Sequence, residues 1–375
     1  MLANRPLVLD LGCEMREQLM PCAEKTFWSW DQHSLWPNSV TVISRQTLIK
    51  HSEWFRDLMQ QKFATICLVN PTEGSQTMLN QCKQLDLLTF VKQKRLVLVG
   101  CGDMEPEIAC MWYDCYRYKP YDYAENIEQC NLAGEIFSTK SKPYQFLFLN
   151  GRTRPHRKYL IERLSDQGLL SRSLWSNLDT TPVPDHTNIY GDICQRPSRL
   201  RLLPPQYEVP RYQHNLNSSW SHKFVKSQLF DQDWGEIYIH ARPYIDTYFS
   251  LVTETVFDYP YSLRSEKIYK PIAMGHPWIA AANRGFYRDL RDAGFRTFDT
   301  LIDESFDLID DNHTRLERIV SVVQDLCAQD LDEFLQAAEE ICKYNQQHML
   351  ETGPKIKQAF VSELDQFIRT HSDAR

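Results

Sequence analysis

Residues Tyr144–Arg157 read YQFLFLNGRTRPHR, and an amphipathic run, Lys158–Leu164, follows without a break. A compact apolar and aromatic run that stops at Asn-Gly is the pattern of a buried strand, and the change to helical spacing beyond Pro155 makes a strand–turn–helix unit. The turn carries Arg152, Arg154, His156 and Arg157. It lies at the carboxyl end of its strand, where open α/β sheets bind ligands. A helix N-terminus there supplies N–H groups and a favourable dipole for an anion, Gly151 allows a tight turn, and arginine suits bidentate contact with phosphate. The same residues also fit a solvated basic turn beside acidic neighbours.

Working outward, the first part of the chain alternates apolar runs (6–11, 39–43, 64–69 and 95–99) with helical patterns over 46–61 and 75–88. That is a βαβ rhythm, and it points to α/β layers. Beyond the quoted stretch, Trp175–His222 is rich in Pro, Asn and Ser and reads as a long irregular insertion. Strands are expected at Glu236–His240, Tyr248–Thr253 and Pro277–Ala281, and helices at Ser265–Met274 and Gly285–Ala293. Apolar residues at helical spacing mark Leu316–Leu326, Leu331–Tyr344 and Ile356–Thr370, the last expected to pack back on the first domain. The expected division is 1–140, 141–350 and a C-terminal helix over 351–375.

A chain of 375 residues exceeds what one core usually serves. Net charge is -7, so it is not built to coat nucleic acid or an anionic membrane. No apolar run approaches the ~20 residues of a membrane span, and the N-terminus lacks the pattern of a signal peptide, so a cytoplasmic protein is expected. The eleven cysteines are scattered, with Cys110 and Cys115 the closest pair. No zinc-type spacing occurs, and reduced thiols are expected.

A second motif begins with the strand that runs to Val252-Thr253-Glu254-Thr255. Shortly after it comes Arg264-Ser265-Glu266-Lys267-Ile268-Tyr269-Lys270-Pro271, a helix start with Ser265 as N-cap. Glu266 in the first turn either supports the helix dipole or accepts hydrogen bonds from ribose hydroxyls, with Lys267 or Arg264 near phosphate. A third stretch, Pro271–Ile279, reads mostly as core. Asn283, Arg284 and Gly285 follow at a strand's carboxyl end and could line a cleft. Asp303 and Glu304 lie in an acidic segment that reads chiefly as a solvated loop.

The order of these elements is an NGRxRxHR turn, a VTET strand, a [ST]EKxxKPI helix start, GxPWI, and LRxxGFxTFxxxIDESFD. It resembles the C-terminal half of GT-B glycosyltransferase-like proteins of phages, large DNA viruses and bacteria, over roughly residues 145–325. The EK-plus-helix element is also similar to the nucleotide-sugar site of α-1,3-fucosyltransferases. The resemblance implies an α/β protein of two facing Rossmann-like domains with a helical C-terminus. The first domain would hold a glycan or small acceptor and the second a nucleotide-diphosphate sugar. It implies Glu266 on ribose and Lys267, Arg152 and Arg157 on diphosphate. Arg154, Glu254 and Lys270 complete the donor-binding set. No metal or resident cofactor is implied. Retaining GT-B enzymes often place two glutamates about eight residues apart. Glu254 and Glu266 are twelve apart, which favours an inverting transferase.

An inverting transferase needs a general base near the acceptor hydroxyl. The candidates are Glu73 and Asp103, each just past a first-domain strand, with Asp10, Asp31 and His33 behind them. A second reading is a phage-type transferase acting on DNA bases, using a basic face of Arg196, Arg199, Arg201, Arg211, Lys223 and Lys226. A third is a non-catalytic binding or scaffold protein that keeps the fold. A nucleotide-sugar isomerase of the same fold is a smaller fourth option.

Overall fold

The structure is a computed structural model that describes residues 4–10, 19–23, 25–27, 39–53, 59, 65–70, 75–102, 108–122, 124–183, 190–207, 238–258 and 262–372. The chain divides into two compact units, one of Met1–Cys115 with Gly353–Arg375, the other of Tyr116–Thr352.

In the first unit β1 (Leu7–Asp10), β2 (Lys25–Phe27), β3 (Val40–Ser44), β4 (Thr65–Asn70), β5 (Leu96–Gly100) and β6 (Cys110–Trp112) form one sheet. Its order is β2-β1-β3-β4-β5-β6, and every neighbouring pair is parallel. The four runs expected from sequence are β1, β3, β4 and β5, each displaced by a residue or less at most ends. They are buried on both faces, which is why they read as unbroken apolar runs. At the sheet's two edges, β2 carries no such run, whereas β6 lies within the apolar run Ile108–Tyr113, which is not among the strands expected from sequence.

Helix α1 (Arg45–Lys50) is started by Ser44, whose hydroxyl accepts from Thr47 N at 3.1 Å. Of the helix expected over 46–61, residues 54–58 and 60–61 lie outside the described residues. The pattern over 75–88 is divided into α2 (Ser75–Gln84) and α3 (Leu88–Lys92). Asp86 sits there with φ 57, a left-handed conformation that ends a helix and that aspartate tolerates. Met78, Leu79, Cys82, Leu87 and Val91 pack on Ile66, Leu68, Leu96 and Leu98 to form the core.

The second unit opens with α4 (Ala124–Cys130) and α5 (Gly134–Ser138), then β7 (Tyr144–Asn150), α6 (Pro155–Asp166) and β8 (Leu174–Asn177). After the 178–240 segment come α7 (Ala241–Ile245), β9 (Thr247–Thr253), α8 (Glu266–Ala273), β10 (Trp278–Ala281), α9 (Phe286–Asp292) and α10 (Asn312–Cys327). The sheet order is β10-β9-β7-β8, again all parallel. Phe146 and Phe249 stack across β7 and β9 with centroids 5.4 Å apart.

Three expectations need correction. Trp175–Asn177, read as the start of an irregular insertion, belong to β8 and pair in parallel with β7. Residues 238–240 form no strand; Ile239 N donates to Asn126 Oδ1 (2.8 Å) and Ala241 N to Gln129 Oε1 (2.9 Å), so α4 side chains take the hydrogen bonds a sheet would have taken. The two last helices are one, α11 (Leu331–Ser372), which continues through Gly353-Pro354. Within the first unit Phe360, Leu364 and Ile368 of α11 are fully buried, and Phe360 lies 4.3 Å from the Tyr113 ring. That apolar stripe outweighs one missing N–H at Pro354. Among the described residues no helix is long and apolar enough to cross a membrane.

In both sheets the chain leaves its first strand to one side and returns on the other. The strand order therefore reverses between β1 and β3 in the first unit, and between β7 and β9 in the second. The carboxyl ends at such a reversal part into a crevice, the usual ligand position of open α/β sheets.

Candidate functional site

The second crevice is flanked by both sequence motifs. Asn150 ends β7, and the turn Gly151–Arg154 leads from it into α6. Thr253 ends β9, and Glu254 and Thr255 follow it. The chain then returns through Ser262–Ser265 into α8, so Glu266 and Lys267 stand in that helix's first turn. Asn283 and Arg284 follow β10, the next strand over. The topology thus gathers at one sheet edge residues more than 130 positions apart in sequence, from Asn150 to Asn283.

Several expected ligand groups bind the chain itself. Glu254 is fully buried, and its Oε2 accepts from Ser265 Oγ (2.6 Å) and Thr255 N (3.1 Å), while Oε1 accepts from Ser265 N (3.2 Å). Burial pushes its pKa up, opposed by the Lys267 charge and the Ser265 hydrogen bonds. Glu254 therefore clamps the N-cap of α8 to the end of β9. Arg157, 4% exposed, donates from Nη1 to Arg152 O (3.0 Å) and from Nη2 to Thr253 O (3.0 Å) and Glu254 O (3.1 Å). Its guanidinium brackets the turn after β7 to the end of β9. His156 adds a third tie, with Nε2 3.0 Å from Glu254 O. A carbonyl only accepts, so Nε2 carries the proton. Burial and then the Arg157 charge hold this imidazole neutral, with its pKa well below the usual value.

The connection from β9 to α8 is pinned further along. The Phe257 ring stacks on His156 (centroids 5.3 Å) and lies 4.3 Å from the Arg315 guanidinium. Arg315 is buried and donates to Phe257 O and Ile309 O at 2.7 Å each. Asp179, just beyond β8, accepts from Thr153 N through Oδ2 (2.8 Å) and from Thr181 N through Oδ1 (2.8 Å), and its carbonyl accepts from Thr153 Oγ1 (2.8 Å). Arg157 and Asp179 thus hold the basic turn from two sides. Sequence reasoning missed Asp179, although Asp-Thr-Thr-Pro after an apolar run is an Asx-turn signal.

Glu266, Lys267, Lys270, Arg152 and Arg154 remain. Glu266 is 5% exposed and ion-paired with Lys267, whose Nζ also reaches Thr255 Oγ1 (3.2 Å) and Ser265 Oγ (3.5 Å). Burial acts upward on the Glu266 carboxyl, but the charges of Lys267 and Lys270 outweigh it and hold its pKa below the usual range. It is an ionised acceptor. Lys267, Lys270, Arg152 and Arg154 are partly exposed, and Arg154 is the N-cap residue of α6, with no side-chain capping bond. Among the described residues, Asn150 Nδ2, Ser262 Oγ and Asn283 Oδ1 along this edge are buried and have no hydrogen-bond partner.

The other candidates fall elsewhere. Asp303 pairs with Arg318, and Glu304 bonds Arg291 Nη1 (2.9 Å) and Phe298 N (2.7 Å). Arg284 pairs with Asp310 at the surface. Asp10 Oδ2 accepts from Ser44 N (3.2 Å) and from the Thr47 hydroxyl, so it ties β1 to the start of α1. Glu73, Asp103, Asp31 and His33 lie outside the described residues, as do Arg211, Lys223 and Lys226 of the basic face. Arg196 of that face is paired with Asp166 (2.8 Å) and Glu162 (3.4 Å), and Arg201 lies 5.7 Å from the Trp175 ring.

Compared with family models, curated proteins and solved structures, the chain matches none.

Proposed function

We propose that the chain is a glycosyltransferase of the GT-B kind, with a nucleotide-diphosphate sugar seated at the β7/β9 crevice of the second unit. One observation carries this reading: the strand reversal brings a basic strand-to-helix turn and a helix start bearing an ionised glutamate to the same sheet edge. A nucleotide diphosphate presents the matching pair of groups, hydroxyls for a carboxylate and anionic oxygens for cations and N–H donors.

In this reading Glu266 accepts from the ribose hydroxyls. Lys267, Lys270, Arg152 and Arg154 offset the charge of the leaving diphosphate, which is the electrostatic part of transfer. Arg157 and Glu254 hold the two motifs in register and do not touch the donor. The acceptor-side base is proposed to be Glu73 or Asp103, with inversion at the sugar. A glycan or small acceptor is favoured over duplex DNA, because Arg196 of the basic face is already paired with two carboxylates.

The test is a thermal-shift and calorimetric screen of UDP-, GDP-, CMP- and dTDP-sugars on the wild type and Glu266→Ala. The expected result is stabilisation by one base class, reduced at least tenfold in affinity in the variant. No shift with any donor would favour a non-catalytic binding protein.

A further inference from the structure

Asn150 is 2% exposed and stands at the last position of β7, beside the reversal. Its Oδ1 accepts from Thr253 Oγ1 of β9 at 3.0 Å, which lays the carboxamide across the two strand ends. Among the described residues its Nδ2 has no hydrogen-bond partner. A buried amide donor left unpaired costs free energy, and such groups are uncommon in folded proteins. Thr253 does not explain the choice of side chain, since an aspartate would offer the same acceptor. What the carboxamide adds is a neutral donor.

The neighbouring features share that polarity. Among the described residues, a Cβ built on Gly151 meets nothing within 4 Å, so the backbone next to Asn150 is open to approach. The α6 N-terminus lies four residues on, with no side-chain cap accepting from its N–H groups. Arg152 and Arg154 occupy the turn between. An amide donor, an open glycine backbone and an uncapped 12-residue helix start in succession suit an oxyanion that carries several lone pairs.

We propose that Asn150 is a ligand-binding residue whose Nδ2 donates to a phosphate oxygen of the bound diphosphate. The proposal rests on the donor-site reading above and adds to it a neutral contact on the leaving group. Neutrality matters here, because an uncharged donor discriminates an anion from a cation without adding to the repulsion among the arginines.

The probe is inorganic pyrophosphate, titrated into the full chain by calorimetry for the wild type, Asn150→Ala and Asn150→Asp. In parallel, the side-chain amide signals of asparagine-labelled wild type are followed by NMR. Affinity is expected to fall about tenfold in Asn150→Ala and further in Asn150→Asp, where a carboxylate faces the anion. The Asn150 amide signals should shift as pyrophosphate saturates the site. Unchanged affinity in folded Asn150→Ala, or amide signals that stay fixed at saturation, would overturn the inference while nucleotide-sugar binding keeps the donor site. The NMR arm needs no variant to fold. A wild type that binds neither pyrophosphate nor any nucleotide sugar would overturn both.

Discussion

At the residue scale, the charged residues of the two motifs divide by where their partners lie. Arg157 and Glu254 sit where a ligand-binding arginine and glutamate are expected, yet each is buried and bonded to backbone or to Ser265. Their work is to keep the turn after β7 and the start of α8 in register. Ser265 carries this most directly: its hydroxyl donates to Glu254 Oε2 (2.6 Å) and accepts from Lys267 N (3.3 Å). Ser265→Ala removes an N-cap and strips a donor from a buried carboxylate, a loss of about 1–2 kcal/mol. Glu254→Gln leaves one carbonyl oxygen for two Ser265 donors and should cost about 1–3 kcal/mol. The double variant should lose less than the sum, by about 1 kcal/mol, because both changes break one contact. Chemical denaturation of the four forms measures that coupling, and strictly additive losses would remove the clamp.

At the scale of elements, two glycines separate folding from binding. Gly275 ends α8 with φ 60 in a Schellman arrangement: its N–H reaches Ile272 O (3.0 Å) and His276 N reaches Pro271 O (2.8 Å). A Cβ there would meet Gln346 Oε1 at 3.6 Å, an ordinary contact. Gly275→Ala therefore costs only its left-handed backbone, about 1 kcal/mol. Gly151 has neither a left-handed φ nor a neighbour within 4 Å of a Cβ. Gly151→Ala should leave the melting temperature within about 1 °C of wild type, since it strains nothing. In the proposed site its methyl would stand against the diphosphate and weaken nucleotide-sugar binding. A destabilised Gly151→Ala, or one binding donor as wild type does, contradicts that placement. The same contrast explains what was legible in the sequence. Inner strands such as β4 and β5 and the capped start of α8 are written locally, in apolar runs and an N-cap serine. Residues 238–240 were misread because Ile239 N bonds an α4 side chain, and the Gly353-Pro354 break because buried Phe360 and Leu364 carry α11 past it. The motifs of the site were visible, but the inward roles of Arg157 and Glu254 were not. Those roles depend on β9 lying beside β7, a pairing between residues about 100 positions apart.

At the scale of the whole molecule, stability against pH should reflect opposed buried groups in the second unit. His276 is buried between Ser250 Oγ, 2.9 Å from Nδ1, and Thr247 O, 3.0 Å from Nε2. Burial lowers its pKa from 6.5 to about 3. A depressed histidine contributes stability that is fully present above the unfolded pKa and lost as pH falls toward the folded one. From pH 6.5 down to 3 that loss is on the order of 4 kcal/mol, and His156 adds to it in the same direction. Glu304 has the opposite sign. Burial raises its pKa from 4.5 to about 7, despite Arg291, so its contribution declines as pH rises through that interval. Glu254 and Asp307, also raised by burial, act the same way. Between about pH 4.5 and 6.5 the two sets oppose each other, and below about pH 4 the raised carboxyls no longer offset the histidine loss, to which carboxylates held low in the fold, Glu266 and Asp303, add. Hydrogen exchange of Thr247–Thr253, corrected for intrinsic rates, should show a near-level shelf and then a steep acid loss. In His276→Gln the histidine side of the balance is weakened, with His156 alone left on it, so protection should decline as pH rises across the shelf and fall less steeply below it. Glu304→Gln should tilt the shelf the other way. Profiles for both variants that run parallel to wild type from pH 3 to 7 would mean that these groups do not set the acid limit of the fold.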